Sequence, residues 1–344
     1  MARAGVPVTA FRDPGGCKDF QQFFSAASSA GIGAANLSRM FDLAKLSGVL
    51  VALASPLQRD GAVDEPATAR LVEHVLAGGV HGVLALGSTG ETASLDEPSR
   101  RKVLGAVVKA AAGRVPVLCG VAQPQLSAAI AEVEAAAKLG AQAALVAPPF
   151  YYPMAQTQLL DFYRRLAERS PLPLMLYNIP QFTKVVAEAR SVAILAREGA
   201  IKGIKDSSRD FEYFEAVCIA TRDQPAFRIF TGSDTMLLAS LAMGGAGTIC
   251  GAGNIAPAWV VRIYDAYTRG DLDAARSAQD QLYRLVMAVR DGVFPSAIKA
   301  ALHLLGICEP WTAPPVSRLD PHLEGRLRDQ LAELDLLTPQ TSRH

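Results

Sequence analysis

The chain has 344 residues and is half hydrophobic (50%), enough for a sizeable core, so global disorder is excluded. Lys plus Arg (34) and Asp plus Glu (33) leave a net charge of +1 with no local basic run, which removes the electrostatic footprint of a nucleic-acid binder. The five cysteines are widely spaced with no CxxC pair. The longest apolar runs span roughly 10 residues, too short for a membrane helix of about 20, so a soluble cytoplasmic protein with reduced thiols is expected.

Taken in chain order, residues 1–47 are an expected N-terminal extension. Ser25 to Ser38 is small and polar without apolar periodicity, which reads as a mobile tail. Arg3, Arg12 and Arg39 with several serines fit a transit peptide, Asp13 and Asp19 count against one, and a functionless extension is the preferred reading. From Gly48 onward, short aliphatic runs alternate with stretches of helical period. Strands are predicted at Val49–Ala54, Gly82–Leu86, Pro116–Val121, Ala143–Ala147, Leu172–Tyr177, Ala200–Lys205, Phe227–Phe230 and Ala246–Cys250. Helices are predicted between and after them, at Glu65–Ala77, Pro98–Ala112, Leu126–Leu139, Gln156–Arg169, Ala187–Arg197, Phe211–Thr221, Thr235–Met243 and Pro257–Thr268. Asp64, Asp96 and Asp234 are expected helix caps, and Gly78-Gly79, Gly113, Gly140 and Gly270 expected stops.

Eight such units assign residues 48–270 to the α/β class as a (β/α)8 barrel, a fold of roughly 250 residues. Near-continuous apolar strands fit a parallel sheet covered on both faces. A doubly wound sheet would carry a Gly-rich dinucleotide fingerprint after its first strand, and Ala54-Ser55-Pro56-Leu57 is nothing like one. Residues 271–344 are expected to form a C-terminal helical region, with helices at Asp271–Arg290, Ala297–Leu305 and Pro321–Leu336 and a stiff Pro310–Pro315 linker.

Reactive groups of such a barrel sit at the C-terminal ends of its strands. After the second strand, Gly87-Ser88-Thr89-Gly90-Glu91 offers two hydroxyls and exposed backbone N–H groups to an anion, or forms a simple turn. The sixth strand ends in Ile201-Lys202-Gly203-Ile204-Lys205-Asp206. Period-two alternation puts Ile201, Gly203 and Lys205 on one face; if that face points into the barrel, Lys205 reaches the mouth from inside, where desolvation turns an ammonium into a nucleophilic amine, and otherwise it snorkels to solvent or pairs with a carboxylate. Tyr177, ending the neighbouring strand, could deliver a phenol to a reacting oxygen. Pro149-Phe150-Tyr151-Tyr152-Pro153 places further phenols on the same rim or packs as a plug. None of the five histidines has metal-ligand spacing and no Ser/His/Asp set converges, so neither a metal nor an organic cofactor is expected.

Gly87-Ser88-Thr89-Gly90-Glu91, Tyr177-Asn178-Ile179-Pro180 and Gly203-Ile204-Lys205-Asp206-Ser207-Ser208, in that order on those strands, resemble the dihydrodipicolinate synthase/N-acetylneuraminate lyase family. The resemblance runs from about Gly48 to about Leu337 and takes in Gly232-Ser233-Asp234, Gly251-Ala252-Gly253-Asn254 and Phe294-Pro295 with Lys299-Ala300-Ala301. It implies a barrel with a helical C-terminal region, a homodimer or homotetramer, and a lysine Schiff base to pyruvate or another 2-keto acid. Lys205 would then be the Schiff-base lysine and Tyr177 the proton-transferring phenol. Ser88 and Thr89 would hold the keto acid's carboxylate and relay protons, Ser88 as a catalytic residue, with Gly87, Gly232, Asp234 and Gly251 also at the substrate. Tyr151 would reach into a neighbouring subunit's site.

Two departures narrow the substrate. Phe182 stands where the synthases carry the arginine that binds the aspartate semialdehyde carboxylate. Thr235 stands where neuraminate lyases carry an acidic residue for the sugar tail, and Ser88 resembles the lyases and 2-keto-3-deoxy sugar acid aldolases. The expected activity is therefore class I aldol cleavage or condensation of a 2-keto-3-deoxy sugar acid, or a related 4-hydroxy-2-keto acid, to pyruvate and an aldehyde. The alternatives are a sugar acid dehydratase, a 4-hydroxy-tetrahydrodipicolinate synthase, and a barrel that binds a keto acid without turnover.

Overall fold

The computed structural model describes residues 41–337. The expected tail lies, up to residue 40, outside the described residues. Eight parallel strands, β1 Gly48–Ala52, β2 Gly82–Ala85, β3 Val117–Val121, β4 Ala143–Val146, β5 Leu174–Asn178, β6 Gly203–Asp206, β7 Arg228–Thr231 and β8 Gly247–Cys250, pair in sequence order and close β8 onto β1. A closed (β/α)8 barrel is what the alternation of periods predicts. Closure leaves almost no room at the β1–β8 seam. The left-handed Gly247 has no Cβ, and one placed there would stand 1.9 Å from the carbonyl oxygen of Gly48.

Strand residues divide by parity between two cores. Leu50, Leu84, Leu118, Leu145, Met175, Tyr177, Phe230 and Ile249 fill the barrel interior. Their neighbours Val51, Val83, Cys119, Val146, Leu176 and Ile204 face the surrounding helices. Both faces are apolar, which is why the strands read as continuous hydrophobic runs, and each fully buried large side chain contributes about 1.5–3 kcal/mol. Leu43, which opens the 3-10 turn Leu43–Lys45, and Leu46, which follows it, join the interior cluster, so residues grouped by sequence with the tail pack into the barrel.

Two of the three expected caps are in place, whereas Asp234 caps no helix: it is the first residue of a 3-10 turn whose cap position is Ser233, and the helix after it follows Met236. Asp64 accepts from the Ala67 amide (2.9 Å) at the start of α1, Glu65–Ala77, and Asp96 from Ser99 (2.9 Å) at the start of α2, Glu97–Ala111. The outer ring continues with α3 Leu126–Lys138, α4 Gln156–Arg169, the short α5 Pro180–Thr183, α6 Ala189–Arg197, α7 Phe211–Ala220, α8 Leu237–Ala242 and α9 Pro257–Thr268. α10 Leu272–Ala288, α11 Ser296–Leu304 and α12 Pro321–Glu333 follow the barrel. Among the described residues no helix is long and apolar enough to cross a membrane.

Three local expectations are corrected. The sixth strand begins at Gly203 and not Ala200, because Gly199 turns in the left-handed region (φ 72°) and Lys202 is still exposed. The short α5 was absent from the predicted pattern. The expected helix Thr235–Met243 is split into a 3-10 turn, Asp234–Met236, and α8. Gln279 of α10 causes the break: its carboxamide donates to the Asp234 carbonyl (3.0 Å) and accepts from the Leu238 amide (3.1 Å), the two groups that an α-helix would have joined to each other.

The C-terminal helices are fastened to the barrel by a buried ion pair. Lys299 of α11 and Glu91, both fully buried at their side chains, meet at 2.7 Å. Lys299 also donates to the Ser55 carbonyl, and the second Glu91 oxygen accepts from the Ala313 amide (2.6 Å). Removing one partner strands the other charge in the core. Lys299→Met should therefore lower stability by about 3–5 kcal/mol, and adding Glu91→Gln should restore part of that loss, read from the midpoints of chemical denaturation.

Candidate active site

The strand ends at the C-terminal face surround a cavity of about 500 Å³. Lys205 lines it from β6 with only 4% of its surface exposed. Parallel pairing puts Tyr177 of β5 directly beside Lys205, and Phe230 of β7 on its other side. The Lys205 Nζ stands 4.6 Å from the centre of the Tyr177 ring. Lys205 thus points inward, as alternation from Ile204 requires. Gly232 makes room for it: a Cβ there would lie 2.7 Å from the Lys205 Cε and 2.0 Å from the Ser207 Oγ.

The loop after β2 forms the opposite wall. Two non-glycine residues flank it in the left-handed region, Leu86 (φ 59°) and Glu91 (φ 57°), a conformation that persists only where surrounding contacts hold it. Those contacts are the Glu91–Lys299 pair and the Ser55 hydroxyl, which donates to the Gly90 carbonyl (2.7 Å). The turn leaves the amides of Ser88 and Thr89 without a carbonyl acceptor among the described residues. The Ser88 Oγ lies 3.4 Å from the Tyr177 Oη. A hydroxyl chain from Ser88 to the phenol and a buried primary amine beside it form a set that can bind an anionic keto acid, form an imine and move a proton.

Asp234 closes the third side. Burial pushes its carboxyl up to about 6, against amide contacts from Ala252 and Gly251 and the positive charges of Lys205 and Arg209. Its Oδ1 is buried without a partner. The loop that carries Gly251 is tied to β1 by Asn254, which donates to the Ala52 carbonyl (2.8 Å) and accepts from the Ala54 amide (3.0 Å). A Cβ at Gly251 would meet Ile298, Asp234 and Thr89 at 3.6, 3.8 and 3.9 Å, ordinary contact distances, so Gly251 stands among these three lining residues.

Lys205, Tyr177, Ser88, Thr89, Gly232, Asp234 and Gly251 therefore line one cavity. Gly87 lines a second, mainly apolar cavity of about 270 Å³, which shares Ser88, Tyr177, Phe182 and Phe294 with the first. Phe182, 55% exposed, packs near Phe294 with ring centres 6.1 Å apart. Tyr151 lines neither; it is 86% exposed with a left-handed backbone (φ 84°). Sequence reasoning missed Arg209, Arg290 and Ile298, which also line the main cavity. Arg209 follows Lys205 by four residues and could have been found from that proximity. Arg290 and Ile298 come from the C-terminal region, for which a strand-end search has no rule.

A model of the dihydrodipicolinate synthetase family matches residues 45–334. An uncharacterised DapA-like lyase of Halobacterium salinarum is 35% identical over 292 residues, 85% of this chain and 95% of that protein. The 4-hydroxy-tetrahydrodipicolinate synthase of Hyphomonas neptunium is 36% identical over 291 residues, 85% of this chain and 99% of the relative. Among solved structures, the prophage protein YagE of E. coli K12, in complex with pyruvate, superposes with a TM-score of 0.81 at 28% identity, over 85% of this chain and 99% of that one. With the family match spanning nearly all of the described residues, the chain belongs to the dihydrodipicolinate synthetase family of class I Schiff-base lyases and aldolases.

Proposed function

We propose that this protein makes or breaks a carbon–carbon bond between pyruvate and an aldehyde through a Schiff base on Lys205, acting on a 2-keto-3-deoxy sugar acid or a related 4-hydroxy-2-keto acid. One observation carries the reading: a buried lysine and a tyrosine stand side by side on β6 and β5, with the Ser88 hydroxyl against the phenol. The pyruvate bound to YagE agrees with a keto-acid site in a barrel of this kind.

The Lys205 amine adds to the C2 carbonyl carbon; the carbinolamine hydroxyl takes the proton of the Tyr177 phenol and leaves as water, giving an iminium and a phenolate. The Ser88 and Thr89 amides and hydroxyls hold the C1 carboxylate. In the cleavage direction the Tyr177 phenolate takes the proton of the C4 hydroxyl. The C3–C4 bond then breaks, its electron pair moves into the iminium to leave an enamine on Lys205, and an aldehyde departs. Protonation at C3 and hydrolysis release pyruvate and restore the amine. Condensation runs the same steps backwards. Asp234 accepts hydrogen bonds from substrate hydroxyls through its unpartnered Oδ1. Tyr151, exposed and held in a strained conformation, serves the site of a second copy in a dimer or tetramer.

A second reading has a specific observation behind it: relatives named 4-hydroxy-tetrahydrodipicolinate synthase match along most of their length. Phe182, an exposed aromatic where a carboxylate-binding arginine is needed, weighs against it.

Borohydride added with pyruvate should attach a reduced three-carbon adduct to Lys205, located by peptide mass spectrometry; an unmodified Lys205 overturns the proposal. Tyr177→Phe should still form the adduct but turn over about 10²-fold more slowly or worse, and a wild-type rate would remove the phenol from the mechanism. Asp234 gives a pH dependence. Its native carboxyl titrates near 6, above the unfolded value of about 3.9, so the stability it contributes is present below pH 4 and lost as pH rises through 6. Asp234→Asn should accordingly gain in melting temperature relative to the parent between pH 4 and pH 7, and a constant difference would show that the carboxyl does not titrate there.

A further inference from the structure

Resting on the Schiff-base reading, we infer that the second carbonyl substrate carries an anionic group, a carboxylate or a phosphate, and that Arg209 and Arg290 read it at the cavity mouth. The charges that line the main cavity do not balance. Lys205, Arg209 and Arg290 are cationic, and Asp234 is the one carboxylate among the lining residues. The carboxylate of a bound keto acid offsets one positive charge, and the iminium keeps the charge of the lysine. One net positive charge is left over. Neither arginine has a carboxylate partner among the described residues, so neither guanidinium charge is offset at the cavity.

Arg209 is also held in place at a conformational cost. Its backbone is left-handed (φ 65°), a region natural to glycine and unfavourable for a long side chain. A fixed turn keeps it there. The buried Asp206 carboxylate accepts from Asn178 Nδ2 (2.8 Å), the Ser208 amide (3.1 Å) and the Ser208 hydroxyl (2.9 Å). Ser208 Oγ accepts in turn from the Asp210 amide (3.1 Å), and Asp210 caps α7 through Tyr213 (3.0 Å). Arg209 is the residue between these anchors, and it stands close enough to Asp234 to favour that group's ionised form. Glycine would satisfy the turn without strain, so an arginine here is explained by what its guanidinium does. Arg290 reaches the same cavity from the C-terminal region, just past the end of α10. A planar fork from each arginine suits an oxyanion, and Phe182 between the two cavities supplies an apolar surface for the carbon chain that bears it.

The test uses the full-length protein. Pyruvate is offered with succinic semialdehyde, glyceraldehyde 3-phosphate, and the neutral butyraldehyde and glyceraldehyde. In parallel, calorimetry reads the binding of each aldehyde to the pyruvate-loaded enzyme, so that an acceptor too poor to react still gives a result. The carboxylate or the phosphate aldehyde should be preferred over its neutral counterpart by about tenfold or more, and whichever arm wins identifies the anion. Raising salt should erode that preference. Arg209→Gly and Arg290→Gln should each cut it about tenfold through KM for the aldehyde, while borohydride trapping of pyruvate on Lys205 proceeds as before. Arg209→Gly should melt no lower than the parent, an outcome that a structural role for the arginine would reverse. Equal or tighter binding of the neutral aldehydes, an unchanged preference in both variants, or a shift in oligomeric state in place of the KM effect overturns the inference. Loss of the Lys205 adduct itself would instead overturn the Schiff-base reading.

Discussion

Closure of the barrel between β8 and β1 is the constraint on which the other features depend. The seam is tight enough that Gly247 packs its α-carbon against the Gly48 carbonyl, and closure leaves no free sheet edge. A closed parallel ladder has a fixed register, and the register sets Tyr177, Lys205 and Phe230 level with one another at the end of three neighbouring strands. It also encloses the lysine on all sides except the mouth. An open sheet with the same strands would leave a lysine on its exposed face to solvent, where an ammonium is stable and a poor nucleophile.

Around that mouth, the loops are placed by buried polar groups that must each find a partner. Asp206 organises the turn that carries Ser207 to Arg209, and Asn254 ties the Gly251 loop to β1. Gln279 interrupts the helix after β7 and so holds Asp234 in a 3-10 turn at the cavity rather than in a helix. The Glu91–Lys299 pair does the same for the Ser88–Thr89 loop. Two of these four anchors, Gln279 and Lys299, lie in the C-terminal helices. The helical region is therefore part of the site's framework, and Ile298, next to Lys299 on α11, forms part of the cavity wall.

Much of this was legible in the order of residues. Alternation of strand and helix periods from Gly48 leads to eight βα units, and parity within Gly203-Ile204-Lys205 puts Gly203 and Lys205 on one face, which the closed barrel turns inward. The rule that chemistry sits at strand ends then selects Lys205, Tyr177 and the Ser88–Thr89 loop. What failed did so for identifiable reasons. Thr235–Met243 has helical composition, but a side chain 41 residues from Leu238 takes the backbone groups that would have continued the helix. Arg209 follows Lys205 closely enough to be a candidate, but its left-handed backbone and the Asp206 network that holds it appear only in the structure. Glu91 and Lys299 are 208 positions apart, and neither charge announces that it is buried.

The sequence alone therefore determined what depends on local periodicity and strand parity: the barrel, the inward face of β6, and the residue types at the strand ends. Tertiary structure alone decided what depends on distance between remote segments. This covers the partners of the buried charges, the break before α8, and the presence of Arg209 and Arg290 on one cavity. The physical reason is range. Backbone sterics and side-chain period act over a few residues and are written in each segment, whereas desolvation and hydrogen-bond satisfaction act between whatever groups the closed barrel brings together.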